Sequence, residues 1–545
     1  MASKYLKHEL GLLDLTMASM GAIIGSGWLL SAPTAASVAG PAAILSWVIG
    51  GVAVMLIGLV YAELGGMLPE SGGIARYPQF SHGHLTGFIM GWAAWIAYAS
   101  VPAVEAEAVM QYASRYVPGL WNSHASLLTG FGLVLAALLL VAFFLINYFG
   151  VRTFANVNTP LTLIKFIMPT LTILVFLFVG LHGSNFHADG GFMAKGSAGV
   201  MEAVATSGIV FAYLGFRQAV DLAGEARNPQ RDVPRAVILS IILGIILYVM
   251  LQVVFTGAVP QHDLSKGWDY LPKIFQAPFA QLASTLGLGW LAVLLYADAV
   301  VSPGGTGNIY IASTTRVIYA LANNGYFPRG LAKVDPRTGI PVGALVLALI
   351  MSLLYLLPFP SWQSLVGVVS AATVLTYIIG PVAASVLRRT APDAHRPFRL
   401  GALGFWAPVA FIIGSLIIYW STWAVDSKLL IAVLIGIVLY ALAAAVAPRA
   451  IDRPTPQTIR AGIWLVVYLL AMLAISYFGA GRFGAAYNGG KGLIHYPLDL
   501  VVVAVMSLIF YYWGVASGIE TKDTQEALEA IAETRTAEVP TGFTS

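Results

Sequence analysis

Four ionisable residues, Glu105, Lys165, Arg217 and Asp298, stand inside otherwise apolar stretches of the sequence. A charge in such surroundings is costly unless it faces a cavity or a counter-ion, so each residue is a candidate for binding a proton or a charged solute. A lysine ammonium in apolar surroundings gives up its proton readily. We expect Lys165 to bind and release a proton; the alternative is a structural lysine that caps free carbonyl groups of the first helix.

The buried carboxylates differ in their surroundings. Glu105 and Glu107 are two residues apart, so they point to different faces of a helix and at most one faces a pathway. Asp298 comes shortly before residues 302–305 (SPGG), a run that is expected to break its helix and to place Asp298 in a cavity. Glu105 and Asp298 are therefore proton-carrying candidates, although Asp298 could instead balance a buried cation.

Two apolar stretches are interrupted at corresponding positions, by Gly25-Ser26-Gly27 in the first and by residues 211–215 (FAYLG) in the sixth. A broken helix frees backbone N–H groups at the start of a half-helix, where a carboxylate binds well. The glycines could instead only permit close helix packing. Because the breaks are five stretches apart, the second half would enter a membrane inverted, and paired breaks of this kind indicate the midplane site of a transporter.

The composition requires a lipid-facing surface. Of the 545 residues, 58% are apolar and 10% are charged, against about 25% charged in soluble domains. Apolar stretches near the roughly 20 residues of a membrane span recur along the chain, at about 11–37, 41–66, 85–113, 126–149, 156–181, 199–224, 234–258, 280–322, 341–358, 362–387, 404–425, 428–448, 461–480 and 497–518. Lys and Arg concentrate in alternate connecting segments, which predicts that both termini are cytoplasmic and explains the basic balance without nucleic acid.

The fold predicted from this pattern is all-α and membrane-embedded, with three parts. Residues 1–390 hold the breaks and buried charges and form a functional core, residues 391–518 add four plainer helices, and residues 519–545 form a cytoplasmic tail. Cysteine is absent, and the sequence contains no phosphate-binding loop, H-E-x-x-H or G-x-S-x-G motif. We therefore expect neither an enzyme nor an ATP-driven pump, and no metal or other cofactor.

Four segments in order are similar to the signatures of the amino acid–polyamine–organocation (APC) permeases: residues 20–28 (MGAIIGSGW), 63–77 (ELGGMLPESGGIARY), 224–236 (GEARNPQRDVPRA) and 316–328 (RVIYALANNGYFP). The resemblance implies a ten-helix core of two inverted five-helix repeats, with helices 1 and 6 broken, that works by alternating access. It leaves the last four helices unexplained.

The resemblance also implies roles for residues of the two breaks. The segment Ile23, Ile24, Gly25, Ser26 and Gly27 would bind a substrate carboxylate, and the carbonyl groups around Phe211 and Ala212 would bind its amino group. Phe211 would be an aromatic gate, unless it is an ordinary core or lipid-facing side chain. Lys165 is similar to the helix-5 lysine that replaces a sodium ion in proton-coupled relatives.

Arg217 departs from the family pattern, which commonly has Glu at this position of helix 6. A guanidinium at this depth could bind a second, side-chain carboxylate of the substrate, or it could pair with Asp221 one turn on. The first interpretation predicts a proton-coupled symporter of acidic amino acids such as aspartate, in a bacterial inner membrane. The alternatives are a transporter or exchanger of neutral amino acids or amines, and an inorganic cation transporter of the same superfamily. The sequence leaves the oligomeric state open.

Overall fold

The computed structural model describes residues 10–69, 73–122, 125, 127–149, 151–357, 361–446, 451, 453–479, 481–484 and 492–538, which fold almost entirely into α-helices. The first half contains α1 (Leu12–Ile23), α2 (Ser26–Ala39), α3 (Ala43–Met67), α4 (Gly73–His82), α5 (His84–Ala113), α6 (Gly130–Tyr148) and α7 (Val151–Val179). A two-stranded hairpin, β1 (Trp121–Asn122) and β2 (Leu127–Leu128), connects α5 to α6.

The middle of the chain contains α8 (Gly196–Thr206), α9 (Ile209–Tyr213), a 3-10 turn (Leu214–Phe216), α10 (Arg217–Asp221), α11 (Pro229–Ala258), α12 (Gln261–Leu264), α13 (Leu271–Ile274), α14 (Pro278–Thr285) and α15 (Gly289–Asn323). The remaining helices are α16 (Val342–Leu356), α17 (Trp362–Tyr377), α18 (Ile379–Thr390), α19 (Leu403–Trp420), α20 (Trp423–Val446), α21 (Pro456–Phe478), α22 (Leu498–Ser517) and α23 (Lys522–Glu538).

Within the described ranges, ten helical stretches are long and apolar enough to cross a membrane, or eleven if α8 and its bent continuation count as one span. One of the ten, Ser26–Met67, has 42 residues and would be about 60 Å long if straight. That length is about twice a bilayer core, so its two helices α2 and α3, separated by a 3-10 turn, are two crossing segments. The protein is a multi-pass, all-α membrane protein, as the sequence predicts.

The contacts between helices are symmetric with respect to the two predicted halves. Helix α3 packs on α11, and α5 packs on α15; in each pair the two helices hold the same position in their own half. The contact between α5 and α17 is matched by that between α15 and α7, as a repeat of five spans requires. Helices α19 to α22 pack around this core against α3, α5 and α18. This pattern is what inverted repeats produce; the domain boundaries at 390 and 518 stay a prediction.

One sequence expectation about the fold is wrong. Residues 302–305 do not break their helix, because α15 continues through Pro303 for 35 residues. Proline is tolerated inside membrane helices where neighbouring groups satisfy the freed backbone. Close packing requires glycine at one nearby position: a Cβ on Gly307 would lie 2.5 Å from the Phe143 ring, whereas one on Gly305 would make an ordinary contact with Lys165 at 3.5 Å.

Candidate substrate and coupling site

The first helix is broken between α1 and α2, at Ile24 and Gly25, where the sequence predicts it. The Ser26 N–H, at the start of α2, donates a hydrogen bond of 2.8 Å to Oε2 of Glu105 in α5. A Cβ on Gly25 would lie 2.6 Å from the other oxygen, Oε1. A protein carboxylate thus occupies the anion position at this half-helix, and only glycine leaves room for it.

The second break lies slightly earlier than predicted. Helix α8 ends at Thr206, and α9 starts after Gly208, which has φ +81°, so that the two helices are bent by 48°. The predicted unwound segment, 211–215, is itself helical or a 3-10 turn, and the Phe211 carbonyl accepts the Leu214 N–H. A glycine in the left-handed region ends the helix at less steric cost than any of the residues Phe211 to Leu214.

The two breaks lie against each other. A Cβ on Gly27 would lie 3.1 Å from Cβ of Ala212 and 3.6 Å from the Phe211 ring. Gly215 packs on the backbone of Ile23 just before the first break, where a Cβ would collide. The structure therefore brings the predicted residues of both helices together at one site.

The side chain of Lys165, which belongs to α7, reaches the end of α1 beside the first break. Its buried ammonium donates to the Gly21 carbonyl and, over 2.6 Å, to Oγ1 of Thr306 in α15. Thr306 Oγ1 also lies 3.1 Å from the Gly21 carbonyl and 3.3 Å from that of Ile24. The contact with Gly21 is the one that a structural lysine would make, but it also places the ammonium where its charge influences the break.

The carboxylates Asp298 and Glu107 form no ion pair with Lys165 among the described residues. The Ser302 hydroxyl donates to the Asp298 carboxylate, with Oγ 3.0 Å from Oδ1 and 2.8 Å from Oδ2. The Trp28 indole lies beside Asp298, and the described residues include no ion pair for it. Glu107 is as buried as Glu105, but neither of its oxygens has a hydrogen-bond partner among the described residues. Of these carboxylates, only Glu105 touches a helix break.

Arg217 is fully buried in an aromatic cage rather than in an ion pair. Its guanidinium lies 3.6 Å from the centre of the Tyr98 ring and 5.0 Å from that of Tyr310. None of its three nitrogens has a hydrogen-bond partner of ordinary geometry in the described part of the chain. Asp221, the alternative partner considered from the sequence, instead accepts the hydroxyl of Tyr98.

The sequence analysis missed four residues of this site: Tyr98, Thr306, Tyr310 and Trp362. Helical spacing carried a usable signal for one of them, because Tyr98 precedes the predicted residue Glu105 by seven residues, which is two turns of one face. Thr306 and Tyr310 are four residues apart and share a face with each other, but both were missed. No local pattern connects Trp362, at the start of α17, with Ser26, although its indole N–H donates to Ser26 Oγ over 2.8 Å.

An ion pair lies on one face of the bundle, and a cavity lies on the other. On the face where α1 begins, Arg388 of α18 donates two hydrogen bonds, of 2.8 and 2.6 Å, to the carboxylate of Glu63 in α3. On the opposite face, a cavity of about 260 Å³ extends inwards to Trp362. A larger recess, of about 410 Å³, lies near Arg460 at the start of α21, away from the buried charges.

Known proteins match almost the whole chain. A family model described as amino acid permease matches residues 10–447. The glutamate/serine transporter AimA of Bacillus subtilis is 44% identical over 96% of each chain. The aspartate-proton symporter of Bacillus subtilis is 41% identical over 94% of this chain and 97% of the symporter. The branched-chain amino acid permease BcaP of the same organism is 28% identical over 81% of this chain and 93% of the permease. With its paired helix breaks and this match, the chain belongs to the amino acid permease family of membrane transporters, within the APC superfamily.

Proposed function

We propose that the protein is a proton-coupled symporter that imports acidic amino acids. The observation that carries this proposal is the Arg217 guanidinium, which is fully buried and forms no ion pair and no hydrogen bond of ordinary geometry among the described residues. A buried cation of this kind is favourable only when an anion arrives, and guanidinium binds carboxylate with two parallel hydrogen bonds. The similarity to transporters named for glutamate, serine and aspartate supports an acidic substrate.

The substrate α-carboxylate would bind at the first helix break. The Ser26 N–H there is held by Glu105, so substrate must take the place of the Glu105 carboxylate. Protonation of Glu105 weakens its hold, since a hydrogen bond to a neutral group is about half as strong as one to a charged group. A proton on Glu105 would thus favour substrate binding at the same place.

Lys165 would link this exchange to the movement of α1. Its ammonium binds the last turn of α1 and, through Thr306, α15. Loss of its proton would remove a charged donor from these contacts and weaken them. The two protonation states would therefore favour different arrangements of α1, as alternating access requires. Asp298, two turns from Thr306 along α15, would be a further proton carrier.

Arg217 would bind the side-chain carboxylate of the substrate. The residue that it contacts on α5, Tyr98, lies seven residues from Glu105, or about 10 Å along the helix. That separation exceeds the length of aspartate or glutamate. We therefore propose that the long Arg217 side chain swings towards the break when substrate enters, while Phe211 closes beside it.

The membrane orientation is part of the proposal. We place the face where α1 begins, and with it both termini, in the cytoplasm of a bacterium, with the chain in its inner membrane. The cavity that reaches Trp362 would then open to the outside. Residues 1–390 would transport, and residues 391–518 would support them as accessory helices.

A second candidate function is transport or exchange of small neutral amino acids. The cation–π contacts of Arg217 with Tyr98 and Tyr310 favour it, because they hold the guanidinium without any substrate. A relative named for both glutamate and serine is consistent with either substrate class.

Uptake of radiolabelled aspartate, glutamate and serine into proteoliposomes distinguishes these candidates. With an inward pH gradient and no sodium, we expect glutamate or aspartate to accumulate and a protonophore to abolish the accumulation. Uptake of serine alone would support the second candidate. Exchange that ignores the pH gradient would refute proton coupling.

A further inference from the structure

We propose that Trp362 is the gate between the outer cavity and the two helix breaks, and that opening this gate requires its bond to Ser26 to break. The proposal deepens the proposed function, on which it rests for the direction of substrate entry. The residue belongs to α17, the tenth span, which the sequence analysis did not connect with the site.

The indole of Trp362 covers both breaks at once. Its N–H donates to Ser26 Oγ over 2.8 Å, at the first residue of α2. Its ring meets the Phe211 ring edge to face, with centroids 6.3 Å apart. A Cβ on Gly208 would lie 2.8 Å from the indole, so the absence of a side chain at the second break lets the ring lie on the backbone.

The same indole forms the floor of the outer cavity. Trp362 is 2% exposed and lines the cavity of about 260 Å³, together with Leu30, Thr34 and Ser37 of α2. Gln363, its neighbour, donates to Thr34 Oγ1 over 3.2 Å and so makes a second tie between α17 and α2. A solute that enters this cavity meets the indole before it can meet the Ser26 N–H.

The contacts predict how two substitutions differ. Trp362→Phe keeps a ring but removes the N–H, and a neutral hydrogen bond contributes about 1 kcal/mol, which corresponds to about a fivefold rise in opening. Trp362→Ala removes the ring as well, so it should leave the breaks open to the cavity. A residue that only stabilised the fold would change stability without this graded change in access.

The absence of native cysteine makes access measurable. Ser31→Cys places a near-isosteric, buried thiol beside the indole at the second break and leaves the bond between Trp362 and Ser26 intact. Ser37→Cys places a control thiol in the cavity above it. Purified protein is labelled with a methanethiosulfonate reagent, in the wild-type, Trp362→Phe and Trp362→Ala backgrounds. We expect labelling at position 31 to be about fivefold faster with Phe and faster still with Ala, while labelling at position 37 stays constant.

Equal labelling rates at position 31 in all three backgrounds, in proteins with unchanged melting temperatures, would overturn the gate. If Trp362→Ala does not fold, the Phe background alone decides, through the same ratio of rates at positions 31 and 37. Because labelling needs no transport, a failure here is separate from a failure of the proposed substrate or coupling.

Discussion

Replacement of Arg217 by methionine separates a substrate-binding role from a structural one. In the structure the guanidinium is buried and makes no hydrogen bond of ordinary geometry among the described residues. Its contact with Tyr98, at 3.6 Å, is worth about 2 kcal/mol when desolvated, and the longer contact with Tyr310 is worth less. Burying the charge costs several kcal/mol. Methionine fills similar space without a charge, so Arg217→Met should leave the protein equally stable or about 1–3 kcal/mol more stable.

The same substitution should remove acidic substrates selectively. Hydrogen bonds to charged groups contribute about 1.5–3 kcal/mol each, and a guanidinium makes two with a carboxylate. A net loss of about 3 kcal/mol weakens aspartate or glutamate binding by roughly 100-fold. Serine has no side-chain carboxylate, so its affinity should be unchanged within about threefold, since its site at the Ser26 N–H is intact.

Thermal unfolding of the purified protein in detergent, with and without each amino acid, measures both effects together. Arg217→Lys is the matched control: it keeps the charge but not the paired donors, and it should bind acidic substrates with intermediate affinity. A methionine variant that unfolds at a lower temperature and loses serine and glutamate alike would show that Arg217 serves the fold.

Three further predictions concern single residues. Glu105→Gln mimics the protonated carboxylate, so the variant should bind substrate about tenfold more tightly near neutral pH, with little pH dependence. Glu107 is equally buried but does not contact a break, so Glu107→Gln should behave as wild type when substrate binding is titrated in the same way. Gly25→Ala should abolish substrate binding, because its Cβ would lie 3.1 Å from Thr306 Cβ and 2.6 Å from Glu105, whereas Gly304→Ala, with 4.0 Å of room, should be silent. Burial lowers the pKa of His82, in α4 outside the spans, from 6.5 to about 4. The folded state therefore favours the neutral ring. This contribution to the free energy of unfolding should be fully present above pH 6.5 and should be lost, by up to about 3 kcal/mol, as the pH falls towards 4. Melting temperatures measured across this pH range should show the loss, and His82→Gln should make the melting temperature less dependent on pH.

The helices and the first break could be predicted from sequence because each depends on local composition. Apolar stretches of membrane length specify spans, and glycine on both sides of Ser26 specifies a point where the helix can end. Two helical expectations failed. Residues 211–215 are helical, because the second break lies at Gly208. Pro303 does not break its helix, since whether a proline does so in a membrane depends on the neighbours that satisfy its freed carbonyl.

The partners of the buried charges could not be predicted, because they come from distant parts of the chain. Asp221 follows Arg217 by one turn, yet it accepts the Tyr98 hydroxyl, while the guanidinium lies over the Tyr98 ring. The bond between Trp362 and Ser26 joins residues 336 positions apart. Spacing along one helix shows which residues share a face, but only the packed bundle shows what that face meets.

Proton uptake on substrate binding tests most directly whether substrate and proton arrive at one place. Purified protein in a weakly buffered solution near neutral pH is mixed with saturating aspartate or glutamate, and the pH change is converted to protons per bound substrate. If the substrate carboxylate takes the position of a newly protonated Glu105, the protein should take up about one proton per bound substrate, and Glu105→Gln should take up close to none. Binding without proton uptake in the wild-type protein, or the same uptake in Glu105→Gln, would contradict this mechanism.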